Sequence, residues 1–446
     1  MAQPITPALA DSFADTLIKQ YPTHSVVQRA VTMNGIYAAS ENNFLSRDNT
    51  TVFSDEIETG SVTNQKDSGR CWLFATLNTI RHQIAKDYKM DDLELSESYS
   101  YFWDKLEKSN SFYEHIIATA ADPLDDRHVA YILNYPQGDG GWWEYAAGII
   151  TKYGVVPKTA MPEAKTTSES HQMNVLLDRK LRKDALALRK LVENKATDAQ
   201  IQKQKESMLA EVYQYLTIAI GTPPKAFDFV YKDKDKKYHR DTQITPLEFL
   251  KKYATFDAQQ YVSVVNDPNK KDAQAYCFED GGNIVDGIEP LFLNVDTVML
   301  KKLAHAHLQK GEAIWFGCDV MADTNRKGFM SLDTYDFNGT FGIDLTLSKA
   351  ERLQSHDSSV NHAMTITGVD VVDGTPKQWK VENSWGEERG LKGYYTMSDE
   401  WFDKNGYIAV IRRDLLDEAL TKALTEEPLV MAPWDPLNAA MPNASR

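Results

Sequence analysis

Apolar positions recur every three or four residues through the first half of the chain and alternate in the last third. Thr6 before Pro7 reads as a cap with proline at the first helical position, and Leu9, Phe13, Leu17 and Ile18 then predict an amphipathic opening helix. From Ser68 a Ser-Gly turn leads into Leu73, Phe74, Leu77, Ile80 and Ile84, the stripe of a long, largely buried helix with Cys71 near its amino end. Between Val175 and Ile220 the apolar stripe of Leu177, Leu181, Leu188 and Leu191 and the break near 194–198 predict a helical hairpin.

Phe227, Phe229 and Tyr231 alternate before KDKDKK at 232–237, which predicts a β-hairpin with a solvated, charged tip. Thr245 to Glu248 is a capping box opening another helix. Beyond residue 312 the runs at 313–320, 363–372, 379–385 and 408–413 are β-branched or aromatic and separated by Gly, Asn and Asp. That texture predicts a mostly antiparallel sheet or barrel. The closing EPLVMAPWDPLNAAMPNASR has no period and reads as an extended arm.

With 446 residues and 25% charged positions, the chain has the length of roughly two to three domains and the composition of a folded protein. Its net charge of −15 argues against nucleic acid as a partner. Cys71, Cys277 and Cys318 are too few and too scattered for a disulfide framework or zinc ribbon, which favours a reducing, cytoplasmic setting. No basic-then-apolar leader and no long apolar run suggest secretion or a membrane span.

A cysteine that opens a helix beside Gly69 and Arg70 is expected to have the helix dipole and a nearby cation to stabilise its thiolate. Such settings lower a thiol pKa from about 8.5 to roughly 3.5–7.5. Cys71 is therefore the candidate nucleophile, whereas Cys277 and Cys318 read as core thiols. Gln65 is close enough in sequence for its side-chain amide to join the Cys71 backbone N–H as an oxyanion donor. Far downstream, His362 begins a strand and Asn383 ends one, so an imidazole and a carboxamide can meet across a sheet. His356 is a weaker rival for the base, in a polar loop, and His305 and His307 sit two apart on a helix, which suits structural roles better than a metal site. Trp142-Trp143 fits core packing and cleft lining about equally.

Gln65-Lys-Asp-Ser-Gly-Arg-Cys71-Trp72, Leu95-Ser-Glu97, Asp139-Gly140-Gly141, Asn361-His362-Ala363 and Asn383-Ser384-Trp385-Gly386 occur in this order, and the set resembles the signature of the papain superfamily. SGRCWLFATLN at 68–78, KVENSWG at 380–386 and Pro433-Trp434-Asp435-Pro436 are similar to its cytosolic aminopeptidase C and bleomycin hydrolase group, including lactic-acid-bacterial members. The resemblance implies an α+β, two-lobed fold: a helical lobe with the nucleophile, an antiparallel barrel-like lobe with His362 and Asn383, and a large helical insertion. The expected divisions are 1–60 (helix and hook), 61–155 (helical lobe), 156–290 (mainly helical insertion), 291–430 (β lobe) and 431–446 (arm directed to the cleft).

By motif position the resemblance implies Cys71 as nucleophile, His362 as general acid/base, Asn383 as its orienting amide and Gln65 with the Cys71 N–H as oxyanion donors. It implies Trp385 as the shield of the Asn383–His362 bond and Gly140 and Gly141 as the pair along which an extended substrate lies. The implied activity is a cytosolic cysteine aminopeptidase acting on peptides through an acyl-enzyme, without metal or cofactor, assembled as a homohexamer. The arm should begin near Trp434, its terminal carboxylate pairing with the substrate amine. Here it reads LNAAMPNASR after Pro436, ending at Arg446 and departing from the group's usual arm. An oligopeptide endopeptidase with the same triad is thus the alternative. A nucleic-acid-binding or scaffold relative fits less well with the negative charge, and nothing in the motif set suggests a catalytically dead one.

Overall fold

The computed structural model describes residues 2–47 and 49–438. Thr6 caps the first helix, Pro7–Gln20, by accepting from Leu9 N, and a second helix, His24–Asn34, follows. Neither buries a residue within the chain: Leu9, Phe13, Leu17 and Ile18 are 42%, 56%, 46% and 60% exposed. The amphipathic stripe is present, but its apolar face has no cover within the described residues.

The helix that Cys71 opens, Cys71–Asp87, has twelve buried residues, the polar Asn78, Arg81 and His82 among them. It packs against the helix Glu97–Ala118, which Ser96 caps through Tyr99 N, and against Trp143–Tyr153. The predicted helical hairpin is His171–Glu193 and Asp198–Ala219, the latter opened by a Thr197/Gln200 capping box. Its stripe of Leu177, Leu181 and Leu188 is buried in the same core as Cys71. The β-hairpin pairs Phe227–Lys232 with Tyr238–Ile244, and its charged tip is ion-paired, Lys89 to Asp235 and Lys234 to Glu58.

The helical character expected up to residue 290 stops near Tyr253. Tyr261–Val265 pairs antiparallel with Gly406–Arg412, and Gln274–Phe278 also joins that sheet. Alternating, β-branched YVSVV carries this switch, which the charged helical texture around it obscures.

Across its centre the sheet runs Tyr261–Val265, Gly406–Arg412, Ile314–Cys318, His362–Val372, Thr375–Glu382, Tyr394–Ser398, antiparallel at every step. Parallel pairs occur only toward its margins. The helix Thr297–Gln309 packs on this sheet and shares a second core with Val264, Phe316, Ile366 and Trp379. The architecture is α+β. It places Cys71 at the amino end of a buried helix, His362 at the start of one central strand, and Asn383 just beyond the end of the next. Among the described residues no helix is long and apolar enough to cross a membrane.

Candidate active site

His362 Nε2 donates to Asn383 Oδ1 at 2.8 Å, with both residues at most 4% exposed. That bond places the proton on Nε2 and leaves Nδ1 as a bare lone pair. Trp385 lies against the imidazole, its ring 4.7 Å from the His362 centroid. The backbone N–H of Ala363 reaches the Cys71 sulfur, which sets the thiol beside the first residues of the histidine strand. Cys318 pairs across from His362 in the sheet and is fully buried, in keeping with a core thiol. His356 is exposed in a left-handed turn and takes no part in this set of bonds.

The electrostatics differ from the sequence expectation. Arg70 turns away from the thiol and is buried in a bidentate pair with Glu163, at 3.1 and 2.7 Å. With no cation beside it among the described residues, Cys71 is dominated by burial, which pushes the thiol up to about 11 despite the N–H groups that favour its thiolate. Burial likewise holds the His362 imidazole down at about 4 against the opposing bond to Asn383. Burial thus disfavours the charged form of both groups. A helix amino end alone does not lower a thiol pKa once the cleft walls exclude solvent.

Gln65 is buried and fixed from both sides: its N–H donates to Ser384 O at 2.8 Å, and its Oε1 accepts from Ser384 Oγ at 2.7 Å. Its Nε2 donates one N–H to Ser68 O at 2.5 Å, leaving the second free. The Cys71 N–H belongs to the first helical turn, which has no intrahelical acceptor.

Gly140 O accepts from Lys108 Nζ at 2.7 Å, so that carbonyl is already engaged. A Cβ on Gly141 would come within 2.8 Å of the Trp72 ring, so the absence of a side chain there is required by packing beside the nucleophile. Trp142 joins the Phe278 and Phe292 rings and also lines the cavity at Gly140 and Gly141, so it packs the core and walls the cleft together. Trp143 packs on Phe256 and Tyr261 instead.

The arm is pinned as it leaves the sheet. Arg127 stacks on Trp434 with its guanidinium carbon 4.1 Å from the ring centroid, Lys270 pairs with Asp435 at 3.1 Å, and Leu437 is buried. Pro433 and Asn438 line the same cavity as Gly140 and Gly141. Arg446 and the tip from residue 439 lie outside the described residues.

Two buried charge clusters support the site, and motif reading gave them no role. Asp139 accepts from Gly69 N at 3.2 Å, Tyr101 Oη at 2.5 Å and Asn174 Nδ2 at 2.5 Å, also from Ser170, and pairs with Lys105 at 2.9 Å. Its own carbonyl takes the Trp72 indole N–H at 2.6 Å. Glu382, just before Asn383, binds Arg81 Nη2 at 2.8 Å and His82 Nε2 at 2.6 Å, tying the asparagine strand to the nucleophile helix. His307 is buried and accepts from Arg412 N through Nδ1, a structural role. Among the described residues no group of three His, Cys, Asp or Glu side chains is arranged to hold a metal ion.

The Peptidase C1-like family profile matches residues 5–438. The chain belongs to that family. As a Peptidase C1-like protein it is a cysteine-type peptidase, and its similarity to other members extends over nearly the whole chain. It is 43% identical to an aminopeptidase C of Lactobacillus delbrueckii subsp. lactis, covering 98% of this chain and 99% of the relative. It is also 43% identical to an aminopeptidase C of Listeria monocytogenes, over 94% and 96% respectively. A crystal structure of pepw from Lactobacillus rhamnosis superposes with a TM-score of 0.96 at 47% identity, covering 98% of this chain and 100% of that one.

Proposed function

We propose that the chain is an aminopeptidase that releases amino-terminal residues of peptides through a Cys71 thioester. The observation that carries this reading is the His362–Asn383 bond at 2.8 Å, with the Cys71 sulfur held at the start of the histidine strand. His362 Nδ1 takes the thiol proton as sulfur attacks the scissile carbonyl. The Cys71 N–H and the free N–H of Gln65 receive the oxyanion. The imidazolium then gives that proton to the leaving amine; in the second half-reaction the neutral imidazole so regenerated deprotonates the water that opens the thioester and returns the proton to the departing Cys71 thiolate. Asn383 holds the ring in the required tautomer throughout, and the steps need no metal or cofactor.

The exopeptidase restriction is supported by the arm, which runs from Trp434 to Asn438 into the cavity beside Gly140 and Gly141, and by relatives named aminopeptidase. A leucyl-coumarin amide is expected to be hydrolysed at least tenfold faster in kcat/KM than its N-acetyl counterpart, since one lost charged contact is worth about that factor. Equal rates would favour the endopeptidase alternative.

A low imidazole pKa also sets a pH profile. The proton acceptor is His362 in its neutral form, which persists until the pH falls to about 4. The acid limb of kcat/KM should therefore lie well below the usual imidazole range near 6.5. A limb at 6–7 in a stopped-time fluorogenic assay would contradict it.

The uncovered face of Leu9, Phe13, Leu17 and Ile18 supports self-association, with the homohexamer as the proposed assembly. Three unpaired cysteines support a cytoplasmic site of action.

A further inference from the structure

The cavity beside Gly140 and Gly141, of about 130 Å³, is also lined by the strap of residues 279–283. The strap is held in place by three bonds: Glu279 N to Met431 O at 2.9 Å, Tyr145 Oη to Gly281 O at 2.7 Å, and Ser111 Oγ to Gly282 O at 3.3 Å. Asp280 adopts a left-handed backbone conformation, φ 55°, within it. Asn283 is 2% exposed and donates through Nδ2 to Asp104 Oδ1 at 2.9 Å. That bond turns Oδ1 the other way, and Oδ1 has no hydrogen-bond partner among the described residues. A buried amide carbonyl left without a donor is costly, so a donor from a ligand is the natural complement.

The surrounding charges indicate what kind of donor. Asp280 accepts from His128 Nε2 at 2.7 Å and stays partly open, its side chain 28% exposed, with His115 Nε2 at 3.5 Å. Burial lowers the affinity of His115 for a proton. Glu279 also lines the cavity. The cation in the wall, Lys108, donates to Gly138 O at 3.0 Å and Gly140 O at 2.7 Å and is ion-paired with Asp104 at 2.9 Å. The wall thus presents an unused acceptor and a carboxylate, and the charge of its lysine is paired with Asp104.

We propose that Asn283 Oδ1 and the Asp280 carboxylate form an ammonium-binding subsite on the amino-terminal side of the scissile bond. This rests on the peptidase reading above. Either the α-ammonium of a substrate or the side-chain ammonium of a lysine one residue upstream carries the required chemistry.

Wild type, Asn283→Leu and Asp280→Asn are to be compared on four coumarin amides: leucyl, N-acetyl-leucyl, N-acetyl-lysyl-leucyl and N-acetyl-norleucyl-leucyl. Both variants are expected to lose about tenfold or more in kcat/KM, mostly through KM, on an ammonium-bearing substrate and to be unchanged on its uncharged control. Loss confined to the leucyl amide assigns the subsite to the α-amine, and loss confined to the lysyl amide assigns it to a side chain. Equal loss on charged and uncharged substrates, or no loss, overturns the subsite. Wild-type enzyme that hydrolyses none of the four refutes the peptidase reading instead. Asp280→Asn, isosteric and partly exposed, keeps the test decisive if Asn283→Leu does not fold.

Discussion

Cys71→Ala is expected to lower peptide hydrolysis by about 10⁴-fold or more, while the variant keeps the wild-type unfolding midpoint in denaturant. The size follows from the proposed role, in which the sulfur forms the covalent bond that divides amide hydrolysis into two easier steps. Cys318, across the sheet from His362, is fully buried and its thiol is held well above its ordinary pKa, so it cannot substitute. The fold should persist because alanine removes one small atom from a helix start whose helix is anchored elsewhere, by Arg81 and His82 on Glu382 and by the Trp315 indole on Trp72 O at 3.0 Å. Activity and denaturation curves measured on one preparation check both halves. Retained hydrolysis would move the nucleophile away from residue 71.

Much of this arrangement was legible in the residues. The helix that Cys71 opens, the helical hairpin at 171–219 and the strands bearing His362 and Asn383 follow from apolar spacing, caps and β-branched runs, which are local properties. The meeting of His362 with Asn383 was legible from ordered motifs. What stayed hidden depends on tertiary surroundings. Arg70 is adjacent to Cys71 in sequence, yet it points to Glu163 because the half-buried carboxylate there offers a bidentate partner. The thiol pKa is set by desolvation, which no spacing encodes. The return of Tyr261–Val265 to the main sheet is a pairing between segments far apart in the chain.

The two buried charge clusters give the nucleophile helix a fixed pose relative to its neighbours. Glu382 acts on its middle turns, whereas Asp139 acts on its entry through Gly69 N and Trp72. A catalytic cysteine needs its sulfur within a few tenths of an ångström of the attack geometry. That need accounts for charged groups placed at 1% exposure in an otherwise apolar core.

Asp139→Ala is accordingly expected to cost about 3–5 kcal/mol of stability, the usual penalty for leaving a buried charge partner uncompensated. Lys105 would keep only the Gln137 and Gly138 oxygens, and the Tyr101 hydroxyl and Gly69 N–H would lose their acceptor. Measured by denaturant unfolding, the midpoint should fall with little change in slope, and residual kcat/KM should drop even where the variant is fully folded, because the turn into Cys71 is loosened. The effect has a pH signature. Burial alone would raise the Asp139 carboxyl, yet the Lys105 charge and the bonds from Ser170 and Tyr101 hold it well below the ordinary carboxylate range. A carboxylate depressed in this way contributes stability that is full above its unfolded pKa of about 4 and is lost as the pH falls toward the folded value. The stability gap between wild type and the isosteric Asp139→Asn variant should therefore narrow on descending through pH 4. A gap that stayed constant there would mean that Asp139 works through shape and neutral hydrogen bonds, and the ionic account of how the nucleophile helix is held would fail.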